Sequence, residues 1–467
     1  MTNPHAPIPR LAVDLRPLRS AVAGVVGPGD DGWDLARRAW NLAVDQRPAA
    51  VVHAADAGDV AAVLDAARSS GLRVAPQGTG HGASALGALD DVVLLKTDRM
   101  SAFEIDPVAR RARVGAGTLW GDVAVRAGEH GLAALHGSSI DVGVVGSTLS
   151  GGIGWLSRLH GLASDRVTAV ELVTADGELR RVGGDDELFW ALRGGGGSFG
   201  VVTAMEFELL PLAEVYAGGL YWPVEAASEV LHAYREWAPT LPDEVTSMVR
   251  FMHLPDVPGV PELLRDVPVI DVGAAFVGDA AAGAELIRPL REVAPPLLDT
   301  FATIPAADLR RLHGDPEQPV PSLGHHTVLR ELTAEAADAL LALAGEGSDS
   351  PLLSVELRQL GGALGRRRPG GGALGAIDGE YVLYAVGPPT TPEVARAVDA
   401  HLDAIVERLA PWRTGTSYAN FSNRPIADMA SPFQRGVHER LRAVKAAVDP
   451  HGLLVANHPI EPARQAP

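Results

Sequence analysis

Residues 75–87 read "APQGTGHGASALG", with Gly78, Gly80 and Gly82 set around a single histidine, His81. What stands on either side of this stretch decides the fold. Before it, "LRVAP" (Leu72–Pro76) is a short apolar run of the kind a buried strand shows. After it, "SALGALDD" is short, broken by glycine and poorly helical, and the next strand, "DVVLLKT", follows within a few residues. Gly78-Thr79-Gly80-His81-Gly82-Ala83 matches G-x-G-x-x-A. A dinucleotide fold, however, needs a helix after the glycines, so that phosphate meets a helix N-terminus. Successive amides in a glycine loop instead form an anion-binding nest without a helix. No GxxxxGK[ST] occurs, which excludes a P-loop. In such a nest the imidazole stands beside whatever the loop holds.

Two further glycine signals lie downstream. Gly195-Gly196-Gly197-Ser198-Phe199-Gly200 matches G-x-G-x-x-G, but the helical "DELFWALR" precedes it and the strand "VVTAMEFELL" follows, the reverse of the Rossmann order. Gly143, Gly146, Gly151, Gly152 and Gly154 crowd within twelve residues. A flat, extended ligand lying along the main chain requires such close approaches, and so do tight turns in a packed sheet.

With 467 residues the chain is comfortable as two domains. Lys plus Arg total 40 against 58 Asp plus Glu, a net charge of −18, and no basic stripe is present, so nucleic acid is not an expected partner. The absence of cysteine excludes disulfides, thiolate metal sites and cysteine nucleophiles. The N-terminal "MTNPHAPIPRLAVDLRPLRS" has no long apolar run after a charged start, and no run of about 18 apolar residues suggests a membrane span, so a soluble cytoplasmic protein is expected. His136, His160, His325 and His326 do not show metal-ligand spacing with carboxylates, and no metal is expected.

Along the chain, Asp56–Gly71 carries Val60, Val63, Leu64 and Ala67 at helical spacing, and Ala49–Asp56 reads as a strand. "LWGDVAVRAGEHG" predicts a helix ending at Gly131, and "TAVELVTADGELRRV" a hairpin turning at Asp176-Gly177. After Pro211, expected strands are 217–222, 246–252, 267–276, 326–332, 353–360 and 381–386, with helices at 226–238, 281–293, 334–344 and 392–410. That is an α+β layer with helices on one side of a sheet. The tail predicts one amphipathic helix and a closing turn.

Four ordered stretches now carry a resemblance: the His81 loop, "GSTLSGGIGWLSRLHGLASDRVTAVELVTADG", "ELFWALRGGGGSFGVVTAMEFEL" and "YANF…ERLRAVKAAVDPHGLL". Over roughly residues 35–460 the chain resembles the berberine bridge enzyme-like flavoprotein oxidases of the vanillyl-alcohol oxidase/p-cresol methylhydroxylase superfamily. The resemblance implies a two-domain PCMH-type FAD-binding fold with an antiparallel-sheet substrate domain covered by helices. It places the FAD domain in residues 1–206 and 412–467 and the substrate domain in 207–411. It also implies FAD held by one covalent bond from His81, in a loop where the family has RGGGHS and this chain has Gln77, Gly78, Thr79, Gly80, His81 and Gly82, followed by Ala83. Ser139 stands where relatives make a second bond from cysteine, so at most one link forms. Val142, Gly143, Val144, Gly146, Gly151, Gly152, Gly154, Val202, Tyr418, Asn420 and Asn457 complete the implied cofactor contacts. Val144 aligns with the residue that governs oxygen access, and valine there is the oxidase-like choice, although Ile140 and Val145 depart from the usual neighbours.

The implied reaction is hydride transfer from a small organic molecule to flavin, with a positioned base taking the accompanying proton. The family's second tyrosine, a proposed base in some relatives, is Phe421 here. Candidate catalytic residues are Glu356 in "SVELRQLGGAL", Tyr384 in "EYVLYAV" and Tyr418 in "YANF". A catalytic carboxylate of some relatives aligns with Leu383. Strand alternation puts Tyr384 with Val382 and Tyr381 with Leu383, without saying which face meets substrate. An O2-using oxidase is the expected function. A dehydrogenase with poor O2 reactivity, a flavin-assisted cyclase or isomerase, and a non-catalytic FAD-retaining binding protein are the alternatives.

Overall fold

The computed structural model describes residues 13–257 and 260–463. The first part of the N-terminal stretch read for a targeting signal, the middle of the 256–266 connection, and the outer ends of the expected domains lie outside these residues.

Alternating apolar and helical segments near the N-terminus build a four-stranded sheet in the order Val25–Val26, Ala50–His53, Val92–Lys96, Arg73–Gln77. The last three strands run parallel, and helix Ala57–Ser69 makes the crossover between Ala50–His53 and Arg73–Gln77. Asp56 caps that helix by accepting from Asp59 N at 3.0 Å, and Val60, Val63, Leu64 and Ala67 face the core. Arg73–Gln77 is an edge strand of this sheet, and the glycine loop leaves its end. On the open side of that edge, Val74 N donates to Leu453 O at 2.8 Å and Val455 N to Val74 O at 2.9 Å. The end of the chain thus covers the edge.

A five-stranded antiparallel sheet follows, in the order Phe103–Asp106, Arg111–Gly115, Val201–Glu208, Val167–Val173, Leu179–Gly183. Its hairpin is where expected, but the connection is the wider 174–178, closed by Thr174 N donating to Glu178 O at 3.0 Å. Thr174 Oγ1 and the Asp176 carboxylate bond each other at 2.6 Å, which stabilises the wider loop.

The third sheet has eight antiparallel strands. In order they are Leu298–Asp299, Glu214–Pro223, Pro268–Phe276, Val245–His253, Ser354–Gln359, Tyr381–Gly387 and Leu323–Leu329, with Ala302–Pro305 also pairing Glu214–Pro223. Helices Ala227–Trp237, Ala280–Arg291, Ala334–Ala344 and Pro392–Arg408 cover one face. Val355, Leu357, Tyr381, Leu383 and Ala385 pack under them with Val230, Leu340 and Leu402. Period-two alternation therefore sends Glu356, Arg358, Val382 and Tyr384 to the opposite face.

One strand is displaced from expectation: the segment expected at 326–332 is Leu323–Leu329. Arg330 N leaves the ladder to donate to Trp412 O at 2.8 Å, and Thr333 caps the next helix. The helix expected to end at Gly131 is Trp120–Gly128, with Gly131 in the turn beyond it. A short helix, Val144–Leu149, sits inside the glycine-rich segment, where none was expected. Among the described residues no helix is long and apolar enough to cross a membrane.

Candidate functional site

The His81 loop is shaped by its neighbours. Gly80 has φ +89, and a β-carbon there would come within 3.0 Å of Ala39, so only glycine fits this turn against the 39–41 segment. Trp40 N donates to Thr79 O at 3.0 Å, and the Trp40 ring stacks on His81 at 3.9 Å between centroids. Trp40 Nε1 donates to Asp141 Oδ2. His81 Nε2 lies 3.3 Å from Asp141 Oδ1 without hydrogen-bond geometry, leaving both buried atoms unpartnered. Gln77 Oε1 accepts from Lys96 Nζ at 2.5 Å, while Gln77 Nε2 is buried with no partner. Lys96 also donates to Arg38 O at 2.9 Å, and burial pulls its pKa down to about 8.

Two of the expected cofactor residues, Gly143 and Asn457, meet this loop directly. Gly143 faces Thr79, whose Cγ2 would lie 3.9 Å from an added β-carbon, and Gly82 faces Asn457. Gly78 faces Thr97 and Ala116, and Ala83 opens the 3-10 turn beyond the loop. Gly143 caps the short helix that carries Val144 and Gly146, with Val142 half-buried just before it. Gly151 faces the Tyr418 ring, Gly152 abuts Ala163, and a β-carbon on Gly154 would sit 1.9 Å from His136 O. Asn420 Nδ2 donates to Ser147 O at 2.8 Å and to Tyr418 Oη at 3.2 Å. Burial pushes the Tyr418 hydroxyl up to about 12. Val202 is buried in the five-stranded sheet opposite Leu172. The Ser139 hydroxyl bonds Asp315 Oδ2 at 2.7 Å.

That bond leads to the other wall of the site. Asp315 Oδ1 meets His313 Nδ1 at 2.6 Å, and His313 Nε2 meets Glu356 Oε2. Glu356 Oε1 accepts from Arg358 Nε at 2.7 Å. With a carboxylate on each ring nitrogen, His313 is held as an imidazolium: burial opposes the charge, but Asp315 and Glu356 outweigh burial and raise its pKa. Burial likewise works against ionised Glu356, yet Arg358 and His313 keep its carboxyl well below the usual carboxylate range. Behind them Arg250 forks onto Asp271 at 3.0 and 3.2 Å and donates to His313 O at 2.9 Å. Glu356 is the register partner of Tyr384, whose hydroxyl donates to Asn423 Oδ1 at 3.1 Å. Phe421 joins the two walls, its ring 5.3 Å from both Tyr384 and Tyr418.

The three candidate catalytic residues thus share one layer. His313, Asp315 and Arg358 belong to it as well, although neither the sequence motifs nor their spacing singled them out. The only sequence signal was Asp315 standing two residues after His313 in a Pro-rich connection. Among the described residues no group of three His, Asp or Glu is placed to hold a metal ion.

Residues 48–183 match a family described as FAD binding domain. (R)-6-Hydroxynicotine oxidase of Paenarthrobacter nicotinovorans is 29% identical over 94% of this chain and 96% of its own length. Glucooligosaccharide oxidase of Sarocladium strictum is 33% identical over 46% of this chain and 45% of its own. Among solved structures, 6-hydroxy-D-nicotine oxidase from Arthrobacter nicotinovorans superimposes with a TM-score of 0.77 at 27% identity, over 92% of this chain and 96% of that one. The fold is shared with a berberine bridge enzyme-like protein of Physcomitrella patens, at a TM-score of 0.81 and 20% identity over 96% and 99% of the two chains.

Proposed function

We propose that this chain, an FAD-linked oxidoreductase that shares its fold with a berberine bridge enzyme-like protein, is an O2-using oxidase of a small organic molecule, with FAD tethered through His81 alone. FAD fits the residues present: a glycine cradle, the unpartnered Gln77 Nε2, and the unpartnered His81 Nε2 beside Asp141. The loop 77–83, the segment 142–154, Tyr418, Asn420 and Asn457 would hold it. When bound, FAD supplies the two-electron acceptor. The protein fixes the substrate, excludes water and takes the proton.

The observation that carries this reading is His81 Nε2: buried, free of any described hydrogen-bond partner, and in the loop that the C-terminal Asn457 closes. With no cysteine in the chain and Ser139 bonded to Asp315, no second link competes. Glu356 is the proposed proton acceptor: His313 already carries a proton on each ring nitrogen, so the open capacity is on the Glu356 carboxylate, which His313 and Arg358 hold in place. Val144 supports the oxidase over the dehydrogenase, since it carries the oxidase-like side chain beside Gly143. The division we propose sets residues 1–206 and 412–467 around the cofactor and 207–411 over it. Tyr418 and Asn420 reaching back to Gly151 and Ser147 support that division. Full-length likeness to a hydroxynicotine oxidase, against half-length likeness to an oligosaccharide oxidase, supports a small substrate.

Acid-precipitated protein keeps yellow flavin in the pellet if the tether exists, and His81→Ala releases it to the supernatant while still folding. Colourless wild-type pellets refute the tether. Anaerobic reduction followed by air distinguishes the acceptor: prompt reoxidation supports the oxidase, and slow reoxidation refutes it.

A further inference from the structure

Arg358 is 7% exposed and uses only Nε on Glu356; Nη1 and Nη2 donate to no described residue. Its guanidinium lies between two rings, 5.4 Å from the Phe421 centroid and 6.0 Å from that of Trp155. Trp155 Nε1 is itself buried without an acceptor. A buried donor left unmade is costly, and Trp155 Nε1 is such a donor in the layer where Arg358 Nη1 and Nη2 also have no partner among the described residues. The free end of a guanidinium is a planar fork that matches the two oxygens of a carboxylate.

The surrounding charges leave this fork available. Arg250 is engaged by Asp271, and His313 is shared between Asp315 and Glu356. Glu356 takes one donor from Arg358 and one from His313. The three carboxylates are therefore matched by Arg250, His313 and Arg358, and none of them reaches Nη1 or Nη2 of Arg358. The chain Ser139–Asp315–His313–Glu356 fixes Arg358 from behind, so the fork is held in place before a ligand arrives.

We propose that Arg358 is a substrate-binding residue that reads a carboxylate on a planar substrate, with Trp155 and Phe421 flanking the group. This rests on the reading of the site as a flavin-dependent oxidase site, and deepens it by naming the substrate class. The reacting C–H is then placed by the anchored carboxylate.

Benzoate is the probe, with benzamide as its neutral counterpart of the same shape. Both are titrated into the holoenzyme by calorimetry and by the flavin difference spectrum, without turnover. Benzoate is expected to saturate and to bind at least about tenfold tighter than benzamide, the effect of one charge-assisted hydrogen bond. Arg358→Met should remove that preference, and Arg358→Lys, which keeps the charge and is safer for folding, should reduce it. Equal binding of benzoate and benzamide to the unmodified protein overturns the proposal with no variant needed. So does an Arg358→Lys protein whose flavin spectrum shifts while its benzoate affinity stays the same, because Arg358 would then serve the cofactor. Colourless acid pellets would defeat the tether and leave this titration readable.

Discussion

Tyr418, in the proposed cofactor site, is held by a bond that acid should break. Its backbone N donates to His326 Nε2 at 3.0 Å, which requires that nitrogen to be bare. His326 is 7% exposed. Burial, and after it the nearby His325, His458 and Arg413, pull its pKa from 6.5 to about 3. The folded pKa lies below the unfolded one, so the unfolded chain takes up the proton first as pH falls. The contribution is fully present above about pH 6.5 and is lost progressively down to about pH 3. At pH 5 the loss is about 2 kcal/mol, from roughly 1.5 pH intervals at about 1.36 kcal/mol each. Urea unfolding of the holoprotein at pH 7 and pH 5 measures it. His326→Gln keeps an acceptor for Tyr418 N but removes the titration. It should lose about 2 kcal/mol less than wild type between the two pH values. Contributions shared by both proteins, such as that of half-buried His160, cancel in the difference. Equal losses in the two proteins would refute the assignment of the acid sensitivity to His326.

Other perturbations have outcomes of known sign. Gly154→Ala drives a β-carbon into His136 O, a backbone atom that must move. Thermal melting should fall by the equivalent of about 1–3 kcal/mol, and purified protein should carry less FAD. Arg250→Met leaves Asp271 buried and unpaired, and should cost about 3–5 kcal/mol by denaturant unfolding. Glu356→Gln keeps the shape of the side chain but removes the charge between Arg358 and His313. Stopped-flow flavin reduction should slow by about 10²–10⁴-fold, while acid-stable flavin stays unchanged.

Much of this is legible in the amino-acid sequence. The reversed order around Gly195–Gly200 excluded a Rossmann helix there, and the structure has helix Glu187–Leu192 before the glycines and strand Val201–Glu208 after them. Alternation grouped Tyr384 with Val382. Which side the helices cover is hidden in the sequence, because it depends on where four distant helices pack, and Tyr381 and Leu383 are buried beneath them. The sequence pattern places the strand Leu323–Leu329 three residues late. Gly324, His325 and His326 carry little β-propensity, and pairing with Tyr381–Gly387 overrides it. His313 and Asp315 offer no more than their own spacing in the sequence, since a loop histidine acquires its partners only when Glu356 and Ser139 arrive from other parts of the chain. Trp40 and Asp141 were missed for the same reason: their contact with His81 is made in space.

The meeting of Gly82 with Asn457, and the covering of Val74 by Leu453 and Val455, also set an order of events during synthesis. The His81 loop is made long before Tyr418, Asn420 and Asn457, which lie far downstream in the sequence. A nascent fragment that stops short of Asn457 cannot present the proposed cradle. If these residues hold the flavin as proposed, its loading follows closure of the segment that carries Asn457. Supplying riboflavin after expression has stopped should still raise the fraction of yellow protein.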